Sequence, residues 1–106
     1  MKMSRYLLVI AAVCLLPSLM FAAGEAAKGK DVFAAKCKTC HGPDGTPPAG
    51  MAKAMGIKPM SDKTIQAKSD ADLKKAVSDG FGKMKPVAGV AGADLDNVIA
   101  FVRTMK

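Results

Sequence analysis

The 106-residue chain has no tryptophan, one tyrosine, one histidine and only three cysteines. A single histidine excludes any site that needs two imidazoles. Cys14 lies in an N-terminal apolar segment, so only Cys37 and Cys40 remain for a folded domain. A disulfide between these two would close a loop of four residues and constrain the unfolded chain very little. We therefore expect a stabilising group other than a disulfide, as small domains usually need one.

The N-terminal segment has the layout of a secretory signal peptide. Lys2 and Arg5 give a positively charged start, residues 6–16 are almost entirely apolar, and the small residues of FAAG follow. This apolar run is shorter than the about 20 residues that a membrane span requires. We predict a signal peptide over residues 1–23, with cleavage within 22–24, and hence a periplasmic protein. A retained N-terminal membrane anchor is the alternative.

Residues 24–106 are expected to form a single small domain. Its net charge is +5, because fourteen of the Lys and Arg residues and all nine acidic residues lie there. The charge is moderate and no aromatic residue is interleaved with it, which argues against nucleic-acid binding. A basic surface instead favours association with an acidic protein partner.

Hydrophobic patterning predicts an all-α domain with three main helices and long loops. The first helix is predicted over residues 26–38. The second is predicted over residues 70–79, with Ser69 in a capping arrangement and Gly80 as its stop. The third has apolar residues at i, i+3, i+4 and i+7, which are Leu95, Val98, Ile99 and Val102.

The segments between the main helices are predicted to be mostly loop. Residues 49–56 are predicted to form a short helix that ends at Gly56, and residues 58–68 are predicted to be irregular. Residues 42–50 and 81–92 are rich in glycine and proline. Loops of this length are unusual in so small a domain. They indicate a bulky apolar cofactor around which the chain wraps.

The stretch CKTCH matches the C-x-x-C-H signature for covalent attachment of c-type haem. Two thiols three positions apart on a helical turn lie near one edge of the haem, where they add to its two vinyl groups. Cys37 and Cys40 are therefore predicted to form thioether links to one haem c. The next residue, His41, is predicted to be the proximal ligand of the iron.

Other uses of a dithiol fit the sequence less well. A thioredoxin-like redox pair needs a βαβ context, and no stretch shows the alternation of a strand. A closed zinc site needs four ligands, one more than Cys37, Cys40 and His41 provide. As neighbours in the chain, Cys40 and His41 are poorly placed to serve as nucleophile and base.

The sixth coordination position of the iron is expected to hold a methionine or a lysine, or to stay open. The other residue types that ligate haem iron, which are histidine, cysteine and tyrosine, are absent from the domain or already used. The candidate methionines are Met51, Met55, Met60, Met84 and Met105. Met51 and Met55 stand four apart in a predicted helix, and Met105 continues the stripe of the last helix, so packing is expected for these three. Met84, in FGKMKP before the last helix, is predicted to be the distal ligand. Met60 is its rival.

The chain beyond the signal peptide resembles a class I c-type cytochrome, a small bacterial single-haem protein. The resemblance is carried by the helix with Gly29 and Phe33 and by CKTCHGPDGTP, GKMKP and the terminal DNVIAFVR. It implies the cytochrome c fold, with Gly29, Phe33 and Phe101 where the first and last helices cross. It also implies Met84 as the distal ligand.

The same resemblance concerns two further details. It implies that the carbonyl of Pro47 or Pro48 accepts a hydrogen bond from the ring of His41. The last helix of the family usually begins after a Ser, Thr or Asp cap, whereas this chain has Ala91 and Gly92. A weaker cap is therefore expected.

The expected function is one-electron transfer in a periplasmic chain, and not catalysis, because iron with two protein ligands leaves no room for a substrate. Redox partners with an acidic docking surface are expected to meet a basic rim formed by Lys36, Lys38, Lys83 and Lys85. We expect a monomer, with membrane contact only through membrane-bound partners. The alternatives are a haem-bearing subunit of a larger oxidoreductase and, with an open distal site, a peroxidase or gas-binding protein.

Overall fold

The computed structural model describes residues 24–106, so the predicted signal peptide and Cys14 lie outside the described residues. The described part contains six helices and no strand, which confirms the all-α prediction. In chain order the helices are α1 (Ala26–Lys36), α2 (Lys38–His41), α3 (Ala49–Met55), α4 (Lys63–Gln66), α5 (Asp70–Asp79) and α6 (Gly92–Val102). No helix within this range is long and apolar enough to span a membrane.

Helices α1 and α6 cross at a glycine, as the resemblance implied. A Cβ atom on Gly29 would overlap the backbone carbonyl of Asn97 and lie 2.9 Å from the Cβ of Phe101. Phe33, only 1% exposed, packs edge-on against Phe101 with 5.4 Å between ring centroids. Glycine inside a helix is unfavourable by about 1 kcal/mol relative to alanine. Here it allows the two backbones to approach, which fixes the helix pair that frames the core.

The core is small and almost entirely aliphatic. Phe33 is joined by six buried side chains from α5, α6 and the segment between them, which are Leu73, Val77, Val90, Val98, Ile99 and Val102. Three of the four residues in the predicted stripe of α6 are therefore buried, while Leu95 is half-buried against the same cluster. The 3.6-residue period correctly predicted the face of α6 that packs inward.

The ends of the main helices follow their sequence signals. The Ser69 hydroxyl accepts a hydrogen bond of 3.1 Å from the Asp72 backbone N–H, and α5 ends before Gly80 at φ 86°. Helix α3 ends before Gly56, whose backbone adopts the left-handed conformation. Helix α6 begins after Ala91 without a side-chain cap. All four boundaries agree with the sequence-based expectations.

One prediction for this region was wrong, because residues 58–68 are not irregular throughout. Helix α4 occupies Lys63–Gln66 and is capped by Asp62, whose carboxylate accepts a hydrogen bond of 2.8 Å from the Thr64 backbone N–H. The hydrogen bonds from Thr64 lower the pKa of Asp62. An Asp before a four-residue turn is a cap signal, but a turn this short shows no hydrophobic period.

Gln66, at the end of α4, forms hydrogen bonds with the carboxyl end of α6. Its side-chain amide donates to the carbonyls of Met60 at 2.8 Å and of Val102 and Met105 at 3.0 Å. The Arg103 guanidinium in turn donates to the Gln66 carbonyl at 2.8 Å. These contacts satisfy carbonyls that the end of a helix leaves unpaired. They also hold the loop at Met60 against the chain terminus.

Candidate functional site

The CKTCH segment follows α1 directly and forms its own helical turn. The Cys37 N–H closes α1 by donating to the Phe33 carbonyl at 2.8 Å, and the His41 N–H donates to the Cys37 carbonyl at 3.0 Å. Cys37 and His41 are therefore one helical turn apart, with Cys40 between them. Cys37 and Cys40 are both half-buried and form no disulfide. Both thiols are free for another covalent partner.

The environment of His41 suits a neutral metal-ligating imidazole. The ring lies 6.4 Å from the ring of Phe33, tilted by 42°. Burial lowers the pKa of His41, because the charged form loses its hydration. The buried Nδ1 atom meets no hydrogen-bond partner among the described residues. An unpaired buried ring nitrogen is unusual in a folded protein and indicates that the ring is placed for a group not supplied by these side chains.

The environment of Cys37 argues against a reactive nucleophile. Burial, and to a lesser extent the neighbouring Cys40, raises the pKa of Cys37. Nucleophilic cysteines are typically found where the surroundings lower the thiol pKa. Cys37 is therefore chemically unlike a catalytic cysteine.

The loop after His41 turns back sharply at a glycine. Gly42 has φ 76°, and a Cβ atom there would overlap the Thr46 carbonyl. Pro47, which follows this turn, is buried, whereas Pro48 is exposed. The implied hydrogen bond from the His41 ring to one of these prolines is not formed, because Nδ1 has no partner.

Met84 lies at the end of a tight turn between α5 and α6. The Phe81 and Met84 backbones exchange two hydrogen bonds, of 3.0 and 2.8 Å, around a turn made by Gly82 and Lys83. A Cβ atom on Gly80 would lie 2.7 Å from the Met84 carbonyl, so glycine permits this close return. The Met84 side chain is half-buried and packs against the core cluster, as Cys37 does.

Met60, the rival ligand, is held by other contacts. Its N–H donates to the Gly45 carbonyl at 2.9 Å, and its own carbonyl accepts from Gln66. A Cβ atom on Gly45 would lie 2.9 Å from the Cβ of Met60 and 2.6 Å from the sulfur of Met105. Met60 and Met105 both pack against the core, which confirms the packing role expected for Met105.

The remaining candidate methionines lie on α3. Met51 and Met55 are one turn apart and half-buried, and neither belongs to the group of described residues packed against the core cluster. Within residues 24–106 no group of three or more His, Cys, Asp or Glu side chains is arranged to hold a metal ion by itself. A closed zinc site, already one ligand short in the sequence, has no support in this geometry.

The comparisons with known proteins agree with one another. The family model described as "Cytochrome C oxidase, cbb3-type, subunit III" matches residues 24–102. Cytochrome c-554(547) of Halothiobacillus neapolitanus is 32% identical over 91 residues, which cover 79% of this chain and 100% of that protein. The chain belongs to this family of c-type cytochromes.

A solved structure supports the fold of the cytochrome. The KustC0563 c-type cytochrome matches with a TM-score of 0.63 and 27% sequence identity, and the match covers 74% of this chain and 96% of the other. The prediction of a class I cytochrome c fold is thereby confirmed. Membership of the family implies haem c as the cofactor.

The residues of this cytochrome fit a covalently bound haem. Cys37 and Cys40 offer two free thiols on one helical turn, and His41 offers a neutral imidazole beside them. The half-buried side chains of Cys37 and Met84 contact one common core cluster. Cys37 and Met84 thus contact the same apolar cluster, and Cys40 and His41 share the helical turn of Cys37. The joint role of these four residues in holding haem stays a prediction.

The four lysines predicted to form the basic rim are all exposed, and they are Lys36, Lys38, Lys83 and Lys85. Lys83 differs from the others, since its ammonium donates to the Ala54 carbonyl of α3 at 3.4 Å. Lys68, which was not predicted from the sequence, places its ammonium 4.5 Å from the ring centroid of Phe81. No local pattern marks either contact, because the partners come from different elements.

Proposed function

We propose that this c-type cytochrome is a one-electron carrier that holds one haem c. In this proposal Cys37 and Cys40 form the thioether links, and His41 and Met84 are the axial ligands. The haem supplies an iron that alternates between the ferrous and ferric states. The observation that carries the proposal is the half-buried His41 ring, which lies on the same helical turn as two free thiols.

The fold supports this role by fixing the histidine. His41 closes the short α2 helix, whose preceding residue Cys37 is hydrogen-bonded to Phe33 of α1. The Phe33 ring is anchored in turn by Phe101 of α6. These contacts connect the ligand, through Cys37, to helix α1, which crosses α6 at Gly29. A fixed ligand lets an electron transfer proceed without rearrangement of the chain.

Met84 is the better candidate for the second axial position. Its turn is close to the core and leaves the side chain half-buried. Met60 is half-buried as well, and its backbone is hydrogen-bonded to Gly45 and Gln66. The choice therefore rests on the position of Met84 in the turn before the last helix. A thioether ligand favours ferrous iron and raises the reduction potential. Apolar surroundings act in the same direction, because they disfavour the extra charge of ferric iron.

Location and partner are part of the same proposal. A signal peptide over residues 1–23 would deliver the chain to the periplasm, where covalent haem attachment takes place. The exposed rim of Lys36, Lys38, Lys83 and Lys85 supports association with redox partners whose docking surface is acidic. Membrane contact would then occur only through such partners, and the carrier itself would be a monomer.

A pair of matched variants tests the choice of ligand. Met84→Ala and Met60→Ala remove the same side chain from two half-buried sites. We expect Met84→Ala alone to abolish the weak far-red absorption of ferric iron bonded to sulfur and to lower the midpoint potential. A normal far-red band in Met84→Ala, with its loss in Met60→Ala, would transfer the ligand role to Met60.

The description of the matching family suggests a second function. The matching model is described as a subunit of an oxidase, and a haem module held in a larger oxidoreductase would use the same residues. Gel filtration of a native extract separates the two cases. A free carrier elutes at the size of the small domain, whereas a subunit co-elutes with a much larger complex.

A further inference from the structure

Two side-chain contacts reach the Met84 turn from neighbouring elements. On one side the Lys68 ammonium lies 4.5 Å from the ring centroid of Phe81. On the other side the Lys83 ammonium donates to the Ala54 carbonyl at 3.4 Å. Phe81 and Lys83 both belong to the turn that ends at Met84, since the Phe81 and Met84 backbones pair with each other.

The contact with Lys68 involves Phe81, whose side chain is not buried in the core. Phe81 is 62% exposed and is the only large hydrophobic side chain so exposed among residues 24–106. A cation over an aromatic face contributes about 0.5–1 kcal/mol at an exposed site. The backbone of Lys68 is held in place, because its carbonyl accepts a hydrogen bond from Arg103. The contact therefore links the Met84 turn to the carboxyl end of α6.

The Lys83 contact uses the carboxyl end of α3. Ala54 lies in the last turn of this helix, where carbonyls lack partners within the helix. The helix dipole also favours a cation at that end, by about 0.3–1 kcal/mol. Lys85, on the other side of Met84, is exposed and makes no hydrogen bond or ion pair in the described part of the chain. The two lysines that flank Met84 thus differ in structure although they carry the same charge.

We propose that Lys68 and Lys83 are positioning residues that hold the Met84 turn against the haem iron. This inference rests on the proposed ligation by Met84. The two hydrogen bonds of the turn fix its own shape, but they do not tie it to α3 or to the segment that contains Lys68. With both contacts in place, the turn has less freedom to move the sulfur away from the iron. The two lysines therefore disfavour exchange of Met84 for an external ligand.

Three lysine-to-methionine variants of the haem-loaded protein test this proposal. Lys68→Met and Lys83→Met each remove one of the two contacts while keeping an unbranched side chain. Lys85→Met is the control, because it removes one positive charge but no contact. Imidazole is titrated into each ferric protein while the far-red band is followed. We expect roughly two- to fivefold tighter imidazole binding in the first two variants, which corresponds to the strength of each contact. Lys85→Met should match the wild type.

A thermal measurement separates positioning from general stability. The far-red band and the far-ultraviolet circular dichroism are recorded on heating. In Lys68→Met and Lys83→Met the interval between loss of the band and the unfolding midpoint should be wider than in wild type. If all three lysine variants behave alike, the positioning role of Lys68 and Lys83 is contradicted, whereas ligation by Met84 is not. Absence of the band in the wild type would contradict the Met84 ligation and overturn this proposal with it.

Discussion

At the scale of the residue, two helical glycines have different surroundings. A Cβ atom on Gly29 would overlap the Asn97 carbonyl, whereas a Cβ atom on Gly50 would meet nothing within 4 Å. Neither glycine has a positive φ. Their roles therefore depend on neighbours and not on backbone strain. Gly29 permits the crossing of α1 and α6, while Gly50 has no packing function.

The substitution Gly29→Ala should lower the free energy of unfolding by about 3 kcal/mol or more, since two helix backbones must separate. Gly50→Ala is its control and should be neutral or stabilising by up to about 1 kcal/mol, because alanine favours the helix. Chemical denaturation of the haem-loaded proteins measures both. Equal stability of the two variants would show that the α1–α6 crossing is not tight.

Some functional residues could be recognised in the sequence and others could not. CKTCH was recognisable because the proposed thioether links and axial ligand would impose a fixed local spacing on Cys37, Cys40 and His41. Gln66 and Lys68 carry no such mark. Gln66 donates to carbonyls as far away as Met105, 39 positions along the chain. Contacts of this kind exist only once the helices have packed.

At the scale of the element, α4 shows how a very short helix is stabilised by the contacts of its two ends. Its four residues cannot form a stable isolated helix. The Asp62 cap begins the turn, and Gln66 fastens its end to the Met60 loop and to the carboxyl end of α6. The longer helices α5 and α6 were predictable from capping and period, whereas α4 depends on tertiary hydrogen bonds that no local pattern encodes.

The change Gln66→Met should lower the free energy of unfolding by about 1–3 kcal/mol, because partly buried carbonyls lose their donor. Lys63→Ala, at an exposed position of the same short helix, should stay within about 0.5 kcal/mol of wild type. Denaturant titration gives both values. If the Gln66→Met protein is as stable as the Lys63→Ala protein, the Gln66 side-chain amide does not stabilise the fold as we propose.

At the scale of the whole molecule, the net positive charge of residues 24–106 should govern encounters with redox partners. The second-order rate of oxidation by ferricyanide, an anion, should fall as salt is added, because the ions screen the attraction. Lys38→Glu should lower this rate by about twofold or more. Lys63→Glu is the charge-matched control, since Lys63 lines a separate cavity with Gln66, Arg103 and Lys106. Equal effects of the two variants would argue against a localised rim.

The central claim is that Cys37, Cys40, His41 and Met84 hold one covalent haem for electron transfer. The most direct test is an absorption spectrum of the protein exported by a host with haem-maturation machinery, recorded oxidised and reduced. The account predicts haem that stays attached after denaturation, a sharp α band on reduction and a weak far-red band in the ferric protein. Haem without the far-red band would contradict methionine ligation, and absence of covalent haem would contradict the account as a whole.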